Sequence, residues 1–201
     1  MISSDAGSSR RDEFIKKHIE EVQKSLSRLD QGEINRCVSI FFDAWKQKKT
    51  IFFMGNGGSG STASHFVADM SKWTIIEGRP RVRAIALTDN MPNILAWGND
   101  DGYEAIFVEQ LKNLMGKGDV VVGISGSGNS RNVIEALRYA NDNNAATIAF
   151  LGFDGGKMKA IASHSVHVKN DHMGQVEGIH AVLQHIIVDA LKKEIKDANV
   201  P

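Results

Sequence analysis

Two small-residue stretches carry the first chemical signal: Gly55-Asn56-Gly57-Gly58-Ser59-Gly60-Ser61-Thr62 and Ser125-Gly126-Ser127-Gly128-Asn129-Ser130. Small residues let the backbone approach an anion closely, and free helix-start amides with serine hydroxyls donate to phosphate oxygens. No Lys follows either stretch as in a P-loop, and the G-x-G-x-x-G fingerprint is missing. Each alone reads equally as a turn with a serine N-cap. Two at equivalent positions point to an uncharged phosphate cradle, suited to a phosphosugar whose single phosphate has only to be held. His65 and Asp69 stand i, i+4 on a helical stretch, so they share one face and offer two ligands for a divalent metal. A solvated helix surface is the plainer alternative. Glu177, His180 and His185 lie on a later helical stretch, flanking an apolar stripe of Ile179, Val182, Leu183, Ile186, Ile187, Ala190 and Leu191.

These residues need a frame, and the chain supplies an alternating one. Apolar runs at 50–54, 83–88, 119–124, 146–151 and 164–168 read as strands. Helical patterns lie at about 60–73, 103–114, 129–143, 156–162 and 175–196. Nearly continuous apolar strands that alternate with helices predict an α/β fold with a parallel sheet covered on both faces. Ligands in such sheets bind beyond the carboxyl ends of the strands, which is where both Gly/Ser stretches fall. Two further amphipathic helices precede the first strand, over 12–29 (Ile15, Ile19, Val22, Leu26, Leu29) and 33–47 (Ile34, Val38, Phe41, Phe42, Trp45). They have little sheet to cover, so packing against another subunit is expected. Residues 1–10 read as a flexible tail and 11–201 as a single domain.

Composition narrows the class. Of 201 residues, 42% are hydrophobic and 24% charged, a balance that excludes a disordered chain. Lys plus Arg and Asp plus Glu are 24 each, which argues against a strongly basic nucleic-acid binder. Cys37 is the only cysteine, so no internal disulfide forms. Residues 1–12 lack the apolar stretch of a secretory signal, and no run approaches the roughly 20 residues that span a bilayer. A cytoplasmic protein with no membrane or nucleic-acid partner is expected. Trp45, Trp73 and Trp97 read as core or subunit contacts, Cys37 as a buried small hydrophobe, Lys157 as a solvated loop lysine, and His164 and His167 have no assigned role.

The chain resembles the SIS (sugar isomerase) domain family and, within it, the sedoheptulose 7-phosphate isomerase branch. The resemblance rests on G-N-G-G-S at 55–59, H-F-V-A-D at 65–69, G-N-D at 98–100, G-D-V-V-V-G-I-S-G-S-G-N-S at 118–130, D-G-G-K-M at 154–158 and E-G-I-H-A-V-L-Q-H at 177–185. It implies a five-stranded parallel sheet flanked by helices, an N-terminal helical pair, and homotetramers with active sites near subunit contacts. It also implies that Ser125, Ser127 and Ser130 hold phosphate, and that Asn56, Gly57, Gly58, Ser59, Asn99 and Asp100 line the sugar. Gly126 stands where a hydroxyl residue is expected, so one donor is missing there.

The family's zinc (Zn2+) ligands map onto His65, Asp69, Glu177 and His185. Asp69 replaces a longer Glu, and Glu177 replaces a neutral Gln. Two carboxylates facing the metal would tighten its binding and weaken its Lewis acidity, while the short Asp69 passes base duty to Glu177. Residue spacing pulls another way: eight helical residues rise about 12 Å, so Glu177 pairs more readily with His180 than with His185. Both pairings stay open, with His185 favoured by the resemblance. The implied chemistry is aldose–ketose isomerisation through an enediol, with Asp69 or Glu177 as base and His185 as ligand or acid partner. The alternatives are isomerisation of another phosphosugar, a phosphosugar sensor, or a non-catalytic protein-binding member of the family.

Overall fold

Runs such as Ile51-Phe52-Phe53-Met54 and Val120-Val121-Val122 have apolar side chains on both faces of an extended chain, so both faces must be covered. The structure, a computed structural model describing residues 5–198, covers them. Five strands, β1 (Thr50–Gly55), β2 (Arg83–Ala86), β3 (Val120–Ser125), β4 (Ala146–Leu151) and β5 (His164–His167), form one sheet in the order β2-β1-β3-β4-β5. All pairings are parallel; Ile51 lies opposite Val120, and Ser125 opposite Leu151. The central strands β1 and β3 are buried throughout, whereas edge strand β2 exposes Arg83 and Ile85. β2 is shorter than its apolar run: Leu87 still donates to Phe53 O, and the chain then turns away.

The helices are α1 (Asp5–Leu26), α2 (Gln31–Lys46), α3 (Gly57–Lys72), α4 (Met91–Asp100), α5 (Ala105–Leu114), α6 (Arg131–Asp142), α7 (Met158–Ile161) and α8 (Met173–Asp197). Strand alternation sends Phe53 to one face and Phe52 to the other, and each meets its own core. On the first face, α2, α3 and α8 bring Phe41, Phe66, Ile179, Leu183 and Ile187 against Phe53 and Phe150. On the second, α5 and α6 bring Phe107, Leu111, Val133 and Leu137 against Phe52 and Met54. Among the described residues no helix is long and apolar enough to cross a membrane.

Three expectations change. α4 has no counterpart in the periodicity because none of its residues is buried; it is set by Asn90, whose side chain accepts from Asn93 N, and by Pro92 in its first turn. α1 starts at Asp5, inside the stretch read as a tail. On α8 the buried stripe is rotated: Val182 and Ile186 are exposed, while Gln175, His180 and Gln184 are buried beside Ile179, Leu183 and Leu191. Periodicity could not choose between two apolar stripes on one helix.

Smaller expectations hold unevenly. Cys37 is buried, and burial pushes its thiol pKa up. Trp45 is buried and donates from Nε1 to Pro80 O, whereas Trp73 is 56% exposed. His164 and His167 tie β5 to α2, through Glu33 O and Glu33 Oε2 respectively. α1 is fastened to the start of α8 by Gln175 Nε2, which donates to Glu21 Oε2 at 2.9 Å and holds that carboxyl below its usual range.

Candidate active site

The strand order reverses direction between β1 and β3, and a crevice opens there at their carboxyl ends. α3 leaves β1 on one face, and α6 leaves β3 on the other. Their N-cap residues, Asn56 and Ser130, make no side-chain capping bond. First-turn N–H groups of both helices therefore lack the usual cap, although Val133 N of α6 donates to Asn132 Oδ1 instead, and both positive dipole ends lie at this crevice.

The β3–α6 loop gathers its hydroxyls. Ser125 Oγ lies 3.0 Å from Ser130 Oγ and 3.5 Å from Ser127 Oγ. The loop is held by Gly128, at φ +64°, packed so tightly on the next turn that a Cβ would fall 2.0 Å from Gly155 O. Asn129 braces it, donating from Nδ2 to Ser127 O and accepting from Lys157 N at Oδ1. Gly126 is explained by packing: a Cβ there would sit 2.5 Å from Met173 Sδ, so the start of α8 occupies the place of the missing hydroxyl side chain.

Asn56 spans the crevice. It exchanges two amide hydrogen bonds with Asn132 of α6, at 2.8 and 3.0 Å, and accepts a third from Tyr103 Oη at 2.8 Å. With Gly57, Ser61, Ser64, Thr88 and Tyr103 it lines a cleft of about 340 Å³. Ser59 is buried beneath the β1–α3 turn. Asn99 and Asp100 stand exposed at the end of α4, bonded to each other at 2.7 Å, and are not in the lining of this cleft.

A second cluster forms where α3 and α8 pack. His65, Asp69 and His185 bring one ligand atom each to within 4.8 Å of one another. His185 Nδ1 is 3.2 Å and His65 Nε2 3.5 Å from Asp69 Oδ2, and the two imidazoles meet edge to face. Asp69 and His185 also line a cleft of about 400 Å³ with Trp73, Val188 and Asp189. Two imidazoles and a carboxylate, open on one side, are a donor set that fits a divalent metal with a position left for a ligand.

The fourth expected ligand is elsewhere. Glu177 is two helical turns, about 12 Å, before His185. Its carboxylate lies against the first turn of α3, where a Cβ on Gly58 would meet Glu177 Oε2 at 2.6 Å. A helix N-terminus favours a carboxylate there. The structure thus brings together His65, Asp69 and His185 without Glu177, and one carboxylate, not two, belongs to the cluster. His180, the alternative ligand, is a core residue. Its Nε2 donates to Leu151 O at 3.1 Å, its ring meets Phe150 edge-on, and burial lowers its pKa to about 4.

Three further residues belong to the site beyond those expected from the sequence. Asn132 and Tyr103 hold Asn56, and nothing in their local sequence marks them. Gln184 donates from Nε2 to Asp69 Oδ2 at 2.9 Å, and a polar residue inside an apolar helical stripe was the signal.

Fold, switch-point crevice and hydroxyl loop together define a phosphosugar-type domain, and residues 14–152 match the SIS domain family. The phosphoheptose isomerase of Helicobacter pylori (strain ATCC 700392 / 26695) is 34% identical over 192 residues, covering 94% of this chain and 99% of that protein. The one from Citrifermentans bemidjiense is 39% identical over 175 residues, covering 87% and 91%. The solved structure of phosphoheptose isomerase GmhA from Neisseria gonorrhoeae superposes with a TM-score of 0.83 at 30% identity, covering 92% of this chain and 98% of that one. The chain belongs to the phosphoheptose isomerase family of SIS-domain proteins.

Proposed function

We propose that the crevice interconverts sedoheptulose 7-phosphate and D-glycero-D-manno-heptose 7-phosphate, an aldose–ketose isomerisation through an enediol. Ser125, Ser127 and Ser130 with the first amides of α6 hold the phosphate. Asn56, Gly57 and Gly58 form the wall along the sugar, and Ser59, expected there too, is buried behind them. Anchoring the remote end lets its binding energy orient the reacting carbons. The observation that carries the reading is the seating of the Glu177 carboxylate on Gly58, at the rim of the same crevice. A carbon acid beside a carbonyl needs a positioned carboxylate to lose its proton. Asp69 is poorly placed for that duty because Gln184, His185 and His65 all crowd its Oδ2. Glu177 therefore carries the proton between C1 and C2, and Asp69 serves as a ligand.

His65, Asp69 and His185 would hold the metal, which we assign as zinc. When bound it supplies electrophilic stabilisation of the oxyanion that develops on the sugar. Exposed Phe14, Ile15 and Ile19 on α1, with Val182 and Ile186 on α8, support assembly with further copies into a homotetramer. Asn99 and Asp100 would then complete a site near a subunit contact. A cytoplasmic enzyme whose product feeds heptose for surface polysaccharide fits this reading.

A coupled assay on sedoheptulose 7-phosphate, with and without chelator and with metal analysis, tests it. Turnover that chelator abolishes supports the metal assignment; tight phosphosugar binding without turnover would make the chain a sensor. Glu177→Gln should lower kcat about 10²–10⁴-fold with metal content unchanged. Full activity in that variant removes Glu177 from the proton transfer.

A further inference from the structure

We propose that Gln184 is a positioning residue that fixes the Asp69 carboxylate for metal binding. This deepens the metal assignment above and rests on it. Gln184 is fully buried on α8, a helix whose other buried residues include Leu183, Ile187 and Val188. An apolar side chain would serve that stripe better, because burying an amide costs stability unless both its halves are bonded. Only one half is: Nε2 reaches Asp69 Oδ2 at 2.9 Å, while Oε1 is buried without a partner among the described residues. The amide orientation is set by chemistry, since the reverse would put two acceptors face to face.

Asp69 has a short arm, and its Oδ2 is the hub of the cluster. His185 Nδ1 and His65 Nε2 approach that oxygen as well, at 3.2 and 3.5 Å. Once these imidazoles turn lone pairs to a cation, neither can still donate to Asp69. Among the described residues the Gln184 N–H is then the remaining side-chain donor that fixes the carboxylate. A neutral amide does this without adding charge or competing for the metal through its nitrogen. Outer hydrogen bonds of this kind orient ligands, and their loss costs metal affinity about 10–100-fold.

The test is competitive titration of the chelator-stripped protein with Zn2+ alone, against a chromophoric chelator. Gln184→Met conserves volume and removes the donor. Its Zn2+ Kd should rise about 10–100-fold, while its urea midpoint in chelator does not fall. In an Asp69→Ala background, which has no acceptor for the amide, the same substitution should change the Kd by less than about threefold, because its effect runs through Asp69. Gln184→Leu repeats both measurements should the Met variant fail to fold. A Kd within about threefold of the parent, or an equal loss in both backgrounds, overturns the proposal. Absence of Zn2+ binding by the parent chain overturns the metal assignment itself, and this proposal with it.

Discussion

His180 is buried neutral, and the consequence is a pH-dependent stability that can be measured. Burial is the largest cause of its lowered pKa; the hydrogen bond to Leu151 O opposes it, and His167 adds a smaller push the same way. The unfolded chain protonates this ring near the ordinary histidine value of 6.5, whereas the folded one resists until about 4. Folding stability from this group is thus complete above 6.5 and is lost as pH falls from 6.5 towards 4. Between about pH 7 and about pH 5 the loss is about 2 kcal/mol, and it approaches about 3 kcal/mol at lower pH. His180→Gln keeps a donor for Leu151 O and removes the titration. Urea unfolding in chelator, at one protein concentration and at both pH values, should show the parent losing about 2 kcal/mol more than the variant. Parallel pH dependence, within about 0.5 kcal/mol, would refute the buried neutral ring. The variant should also keep its Zn2+ affinity, because the side chain faces β4 and not the cluster.

Two further expectations concern the crevice. Ser127→Ala or Ser130→Ala removes a hydroxyl bonded to a charged acceptor, worth about 1.5–3 kcal/mol, so KM for the sugar phosphate should rise at least about tenfold in steady-state assays. A change under about twofold would place the phosphate elsewhere. Gly58→Ala puts a methyl where the Glu177 carboxylate lies, 2.6 Å from its Oε2. Its kcat should fall about tenfold or more with metal content and urea midpoint preserved, and an unaltered kcat would dissociate Glu177 from the chemistry.

Some residues announced their place and others did not. The five strands were legible because residues such as Val121 and Ile148 are apolar on both faces and so demand a covered parallel sheet. The Gly/Ser loops were legible because their composition has few other uses at strand ends. α4 was not, since it only half-buries Ile94 and Trp97 against the second core and so leaves little periodicity. Gly126 read as a missing donor until the approach of Met173 showed what fills its place.

What the sequence determined by itself was local: where strands end, which loops can hold an anion, and that His65 and Asp69 share a helix face. The tertiary structure decided which distant groups meet. The rotation of α8 about its own axis, set by packing Ile179, Leu183 and Ile187 into the first core, buries His180, turns Gln184 to Asp69 and sends Glu177 to Gly58. Periodicity specifies a helix and its possible faces, but only the shape of the surface it packs on selects one of them.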